Sequence, residues 1–168
     1  MSAKTFSVLR GKIGSTEYYQ ATVSARTLAS MVKTAAELDA WREWSIFERF
    51  QRELNFPRIK KEIVPYLTRT SDRFFGAFIV LVYEPDLFEF QQVTLETTPT
   101  GAAYRSAAEQ IGFLTVSGGE LVALDGQHRL QALREVLSAG DEYDGPYLNE
   151  VLEDHFCVIL IHHETFEK

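Results

Sequence analysis

The sequence has little that could crosslink the chain or hold it in a membrane. It contains one cysteine, Cys157, which excludes an internal disulfide and a cysteine-rich zinc site. The longest uncharged apolar runs, residues 74–83 and 156–161, are much shorter than the about 20 residues that a membrane-spanning helix needs. Residues 1–6 have no apolar core of a signal peptide. These absences favour a cytoplasmic protein without a membrane partner.

The composition that remains is that of an ordinary globular domain. The 168 residues are 45% hydrophobic and 24% charged, close to the averages of folded proteins. A chain of this length buries about 70% of the surface of its unfolded state, which is sufficient for a core without crosslinks. We therefore expect a single domain over residues 1–168. Because the chain ends directly after a strand-like segment, we also expect it to be the N-terminal part of a longer protein.

The charge is negative overall and unevenly distributed. The net charge of −7 argues against a surface that coats DNA. Residues 42–73 nevertheless carry eight basic and five acidic side chains, whereas residues 135–168 carry one basic and nine acidic ones. The basic candidates for contacts with DNA phosphates are Arg42, Arg49, Arg52, Arg58, Lys60 and Lys61. The alternative is that these side chains belong to solvated helix faces.

Hydrophobic patterning predicts helices in the first half of the chain and strands after it. Residues 18–23 are rich in aromatic and β-branched side chains and predict a short strand. Apolar residues at helical spacing predict helices over residues 25–38, 41–54 and 58–67, which gives a helical N-terminal portion. Residues 74–83 form a continuous apolar run, which is typical of a central strand covered on both faces.

The second half alternates strands with one long helix. Residues 89–98 have weaker strand character, and residues 113–116 and 121–124 are two short apolar strands. The segment between them, residues 117–120, contains Gly118 and Gly119 and predicts a hairpin. A helix is expected over residues 127–138, and a last strand over residues 156–162. The expected fold class is therefore α/β (or α+β), with a mixed sheet flanked by helices.

The most informative segment is the junction between the strand at residues 121–124 and the following helix. Gly126 would allow a tight turn and the close approach of a ligand, so we expect a positive φ or an unusually close contact there. The free N–H groups of the first helical turn favour phosphate, and Arg129 offers two parallel hydrogen bonds to phosphate oxygens. His128 can transfer a proton near neutral pH, and Asp125 could hold a metal ion or orient a water molecule.

A purely structural interpretation of the same junction stays open. In that interpretation Asp125 caps the helix and Arg129 pairs with an acidic side chain on the surface. Elsewhere, His162 and His163 lie side by side at a strand end, where neighbouring side chains point to opposite faces. We therefore expect no metal site formed by protein side chains there.

Residues 125–129 read DGQHR, which resembles the signature of DGQHR-domain proteins, including the DndB-like proteins of bacterial DNA phosphorothioation systems. The glycine, arginine and alanine at positions 126, 129 and 132 also resemble the GxxRxxA phosphate-binding motif of the ParB/sulfiredoxin superfamily. Weaker similarities at residues 54–59, 66–67, 74–75 and 111–114 follow in the order of the family, so the resemblance covers most of the chain from about Tyr18.

The resemblance implies a ParB/sulfiredoxin-like fold and a DNA-associated regulatory protein of a bacterial phosphorothioation or defence system. Gly126, Gln127 and Arg129 would bind the phosphate of a nucleotide or of DNA, with a nucleoside triphosphate and Mg²⁺ as the implied cofactor. The implied partner is DNA, with a C-terminal segment beyond residue 168 required for binding, and a homo-oligomer is left open. The alternative is a ParB-like nucleotide hydrolase or nuclease in which Asp125 and His128 are catalytic. Gln127 stands where sulfiredoxins have a catalytic cysteine, which argues against sulfiredoxin chemistry.

Overall fold

The computed structural model describes residues 2–38, 54–94, 102–139 and 143–166. The chain begins with two long strands rather than with helices, which corrects the expectation of a helical N-terminal portion. Strand β1 (Lys4–Ile13) and strand β2 (Thr16–Ser24) form an antiparallel hairpin. Alternate residues of β1 face the core, with Val8 buried, while polar side chains intervene between them. This alternation is the period of a strand that is buried on one face.

The helix expected over residues 25–38 is shorter in the structure. Helix α1 (Ala25–Met31) starts at Ser24, whose hydroxyl accepts a hydrogen bond from the N–H of Thr27. The backbone then becomes extended in the two-residue strand β3 (Val32–Lys33), and a 3₁₀ turn covers Ala35–Glu37. The β-branched side chain of Val32 packs into the core at this point. The helix expected over residues 41–54 lies almost entirely outside the described residues.

The next helical stretch runs without interruption through three segments. They are α2 (Phe56–Arg58), a segment in π geometry (Ile59–Ile63) and α3 (Val64–Arg69). Asn55 caps the stretch, because its side-chain oxygen accepts a hydrogen bond from the N–H of Arg58 at 3.0 Å. Pro65 has no N–H to donate, and the irregular π turn directly precedes it. The expected helix over residues 58–67 is confirmed in outline.

In the part of the second half that the structure describes, there are five strands and three helices, and the strands lie close to the expected places. The strands are β4 (Phe78–Tyr83), β5 (Leu87–Gln92), β6 (Ile111–Ser117), β7 (Glu120–Asp125) and β8 (His155–His162). The helices are α4 (Ala102–Ala108), α5 (Gln127–Ala139) and α6 (Leu148–Val151). A 3₁₀ turn covers His163–Phe166. The patterning did not indicate α4.

All eight strands form one mixed sheet in the order β3-β7-β4-β8-β2-β1-β6-β5. The mixed α/β class is thereby confirmed. The predicted hairpin between β6 and β7 is wrong, because β6 pairs with β1 and β5 whereas β7 pairs with β3 and β4. The glycine turn is present, with φ of +65° at Gly118 and +56° at Gly119. It connects two strands that lie five places apart in the sheet.

This connection requires a strongly curved sheet. The ends of β6 and β7 are joined by two residues, so the two halves of the sheet must approach each other at this turn. Contacts between distant strands support the same geometry: the ring of Phe88 on β5 lies 5.4 Å from that of Tyr19 on β2 and 4.6 Å from that of His162 on β8. The main core fills the concave side, where α1, α5, α6 and the helical stretch from residue 56 to 69 pack on the sheet.

A smaller core covers the opposite face of β4 and β7. Its fully buried members are Ala35, Leu81, Val122 and Leu124. Both central strands therefore bury side chains on both faces, which agrees with the continuous apolar run at residues 78–83. Among the described residues, no helix has an apolar stretch that is long enough to cross a membrane.

Candidate functional site

The DGQHR residues form a strand–turn–helix junction at the end of β7. The pairing of β4 with β7 shifts by one residue here, since Val80 lies opposite Ala123 while Ile79 lies opposite Asp125. Leu124 is therefore the extra residue of a β-bulge, a feature that re-aims the end of a strand. Gly126 follows with a φ of +94°, and α5 begins at Gln127.

Gly126 is both conformationally unusual and tightly enclosed. A Cβ atom added to it would lie 2.5 Å from Cδ1 of Phe78, whose side chain is fully buried. The expectation of a positive φ and a close contact is confirmed. The carbonyl of Gly126 accepts the first hydrogen bond of the helix, from the N–H of Leu130 at 2.8 Å. The preceding N–H groups of the first turn have no carbonyl acceptor inside the helix.

Arg129 points back from α5 to the segment that leads into β4. Its guanidinium donates to the carbonyl oxygens of Gly76 and Ala77 and to the carboxylate of Asp125, with 3.2 Å to each of the last two. It also lies 4.6 Å from the centre of the Phe78 ring. Only 18% of the side chain is exposed, and burial lowers the pKa of Arg129 while the charge of Asp125 acts to raise it. Arg129 thus connects helix α5 to the end of β7 and to the segment that precedes β4.

Asp125 is the acidic partner of Arg129, four residues before it in the chain. Its side chain is 63% exposed, so the carboxylate faces solvent as well as the guanidinium. The open structural interpretation placed the acid elsewhere on the surface, whereas the structure places it inside the motif. Among the described residues, no group of three or more His, Cys, Asp or Glu side chains is arranged to hold a metal ion.

His128 connects the motif to the helical stretch that starts at residue 56. Its Nε2 accepts a hydrogen bond from the backbone N–H of Asn55 at 3.1 Å. This contact uses one of the two ring nitrogens of His128. Asn55 as the N-cap and Pro57 two residues later are typical of a helix N-terminus, but the sequence does not show that this N-terminus contacts His128.

Gln127 is the buried polar residue of the motif. It is 8% exposed, and its side-chain amide has no hydrogen-bond partner among the described residues. Gln131, one turn further along α5, instead donates to Glu135 at 3.3 Å. An amide that is buried without a partner costs free energy, typically about 1–3 kcal/mol. Such a group calls for a ligand or water that completes its hydrogen bonds.

A cavity of about 910 Å³ opens at this junction. We call it the turn cavity; its walls comprise residues 124–129, residues 75–77, Arg58, Ile63 and Ile79. The lining includes three apolar side chains, Ile63, Phe75 and Ile79, and the first turn of α5. The contributions of Ile63, Phe75 and Ile79 were not apparent in the sequence, because these residues read as ordinary members of a helix and a strand.

Three of the six basic residues that are candidates for DNA contacts lie among the described residues. Arg58 lines the turn cavity, Lys60 lies 3.7 Å from the carboxylate of Glu135, and Lys61 is exposed on the same helical stretch. Arg42, Arg49 and Arg52 lie outside the described residues. Arg58 is therefore the one of these three described candidates that lines the same cavity as the DGQHR residues.

Comparison with known proteins yields one match. No curated protein and no solved structure is significantly similar to the chain. A family model for DndB, described as DNA-sulfur modification-associated, matches residues 6–168. Since this match spans nearly the whole chain, the protein belongs to the DndB family.

Proposed function

We propose that this protein is a DNA-associated regulatory component of a bacterial DNA phosphorothioation system, and that it binds a phosphate-bearing ligand at the DGQHR turn. The ligand is a nucleotide, with Mg²⁺ as its counterion, or a phosphate of DNA. The observation that carries the proposal is the buried, unpartnered amide of Gln127 beside the first turn of α5. Membership in a DNA-sulfur modification-associated family supports the DNA context.

The local electrostatics support an anionic ligand. The helix α5 has 13 residues, and the free N–H groups at its first turn carry a partial positive charge. The arrangement of Gly126, Arg129 and Ala132 resembles the phosphate-binding turn of the ParB/sulfiredoxin superfamily, which agrees with this electrostatic argument. A volume of about 910 Å³ falls in the range of pockets that hold small molecules.

Binding is better supported than hydrolysis. A nuclease or nucleotide hydrolase would use His128 or Asp125 to activate water. In the structure Nε2 of His128 already accepts a hydrogen bond from Asn55, and the carboxylate of Asp125 is paired with Arg129. Each candidate catalytic group therefore already uses one atom, Nε2 of His128 and Oδ2 of Asp125, in a structural contact.

A matched pair of glutamine variants tests the binding site. Gln127→Leu should weaken nucleotide binding about 10–100-fold, because a hydrogen bond from the amide to a charged phosphate is lost. Its melting temperature should stay equal or rise, since no unpaired amide remains buried. Titration calorimetry with ATP, GTP and CTP in the presence of Mg²⁺ measures the affinity.

Gln131→Leu is the control for the same substitution on the same helix. Gln131 bonds to Glu135 and does not line the turn cavity, so its replacement should leave the affinity unchanged. If Gln127→Leu binds each of the three nucleotides as tightly as wild type does, the assignment of Gln127 to the site is contradicted.

Residues 1–168 should bind duplex DNA only weakly by themselves. With a net charge of −7, long-range attraction to DNA is poor, and few basic side chains are available for phosphate contacts. The dissociation constant should fall in the non-specific range, about 10⁻⁴–10⁻⁶ M at physiological salt, and rise steeply with salt. Fluorescence anisotropy with a labelled duplex at two NaCl concentrations measures this. Tight binding to one sequence would overturn the expectation.

A further inference from the structure

Two arginines line the described walls of the turn cavity, and they differ in how much of their hydrogen-bonding capacity is already used. Arg129 donates to Gly76, Ala77 and Asp125 and packs against the ring of Phe78. If the guanidinium of Arg129 were to bind a phosphate, it would have to break its hydrogen bonds to these acceptors or share their N–H donors with the phosphate. The charge of Arg129 is also balanced by Asp125, so the pair attracts an anion weakly.

Arg58 is held far less firmly. Its side chain is 57% exposed, and the one ion pair found for it among the described residues is with Glu62, four residues later, at 3.4 Å. An exposed pair at this spacing on a helix contributes only a few tenths of a kilocalorie per mole. A doubly charged phosphate can replace the carboxylate of Glu62 at small cost and with better geometry, since a guanidinium makes two parallel bonds to phosphate oxygens.

The backbone of Arg58 is nevertheless fixed at the site. Its N–H donates to the side chain of Asn55, and the N–H of Asn55 donates to His128 in the first turn of α5. Two consecutive hydrogen bonds therefore set the distance between the start of the helical stretch and the DGQHR turn. The result is a cation on a fixed backbone, with an exposed and weakly paired side chain that lines the turn cavity.

We propose that Arg58 contributes the cation that binds the phosphate of the ligand, and that Arg129 is a positioning residue that holds the cavity wall at Gly76 and Ala77. This inference rests on the proposed function. The apolar side chains that line the cavity, Ile63 and Phe75 together with Ile79, extend it to the ligand class. A phosphate ester that carries a flat aromatic group, such as a nucleotide, can contact these apolar side chains as well as the first turn of α5, whereas inorganic tripolyphosphate cannot.

The test compares calorimetric titrations of wild type and variants with ATP, GTP, CTP and tripolyphosphate at two NaCl concentrations. Arg58→Ala should weaken nucleotide binding about 10–100-fold, since a charge-assisted bond to phosphate is lost. It should also reduce the dependence of the affinity on salt, because one screened attraction is absent. Its melting temperature should equal that of wild type. Arg58→Lys should recover part of the affinity and the salt dependence.

Three further variants separate charge from structure. Lys61→Ala removes an exposed cation from the same helical stretch outside the turn cavity and should bind within twofold of wild type. The double variant Arg58→Ala/Glu62→Ala should remain weak, which excludes repulsion by the uncovered Glu62 as the cause. Arg129→Lys should lower the melting temperature and keep the wild-type dependence of affinity on salt.

The outcomes distinguish the two proposals. If wild type binds neither the four phosphate ligands nor duplex DNA, both the proposed function and this inference are wrong. If it binds duplex DNA but none of the four ligands, the inference alone is wrong. If wild type binds and Arg58→Ala binds equally well with unchanged salt dependence, the inference alone is overturned. Equal affinity of wild type for tripolyphosphate and for all three nucleotides would overturn the part that concerns the aromatic group.

Discussion

Gly126→Val is expected to lower the free energy of unfolding by about 2–6 kcal/mol and to abolish binding at the turn cavity. Two effects add. A β-branched residue at a φ of +94° is strained by about 1–3 kcal/mol, and forcing a new side chain against the buried ring of Phe78 costs about as much again. Because Phe78 also stacks beneath Arg129, a displaced ring would disturb the position of that guanidinium.

Gly14 provides a control that separates strain from crowding. It also has a positive φ, +60°, but a Cβ there would meet no atom within 4 Å. Gly14→Val should therefore show the cost of strain alone, about 1–2 kcal/mol. Urea denaturation followed by circular dichroism measures both variants. Equal losses for Gly14→Val and Gly126→Val would show that contact with Phe78 contributes nothing.

Arg129→Ala is expected to lower the free energy of unfolding by about 1.5–3 kcal/mol, the usual value of hydrogen bonds that involve a charged group. The variant loses the contacts to the carbonyls of Gly76 and Ala77 and leaves Asp125 unpaired. The sequence instead predicts that the guanidinium of Arg129 makes its two parallel hydrogen bonds to phosphate oxygens.

The matched control is Arg69→Ala. Arg69 also donates to a backbone carbonyl, that of Asp144, but it is exposed on the surface. Its replacement should change the free energy of unfolding by no more than about 0.5 kcal/mol. The same denaturation experiment compares the two variants. A loss at Arg129 no larger than that at Arg69 would contradict the structural role of the buried guanidinium.

The local part of the candidate site could be predicted from the sequence, and its long-range contacts could not. An apolar strand followed by Asp125, Gly126 and a helix specifies the turn, because only glycine adopts the required φ without strain. The acceptors of Arg129, by contrast, are carbonyls more than 50 residues earlier. Any residue type has a carbonyl, so no sequence pattern marks Gly76 and Ala77 as partners.

The strands were predictable in position but not in pairing. The two glycines after Ser117 favour a hairpin because their φ angles suit a tight reversal. In the structure the same turn packs against a neighbouring connection, where the carbonyls of Tyr83 and Glu84 leave no room for a Cβ at Gly119. Local turn chemistry is satisfied in both arrangements. The choice between them depends on which strands best cover the core, and this is a property of the whole chain.

The N-terminal strand β1 escaped prediction for a different reason. Its apolar residues are interrupted by Ser7, Arg10 and Lys12, so it lacks a continuous apolar run. Arg10 is accommodated by stacking, with its guanidinium 4.6 Å from the centre of the Phe90 ring. A basic residue on the inner face of a curved sheet thus has a partner that is visible only once β5 is in place.

The position of β8 determines when the sheet can form during synthesis. β8 is the fourth strand in order and joins β4 to β2, which links the half of the sheet that carries the DGQHR turn to the half that contains the N-terminal hairpin. Residues 155–162 are among the last of these 168 to leave the ribosome. Until they emerge, no strand links the two halves of the sheet by pairing with both of them. The edges of β2 and β4 that pair with β8 are then exposed in the nascent chain. Completion of the sheet is therefore a late event that follows translation of β8, and the elements around the DGQHR turn must wait for it in a partly assembled state.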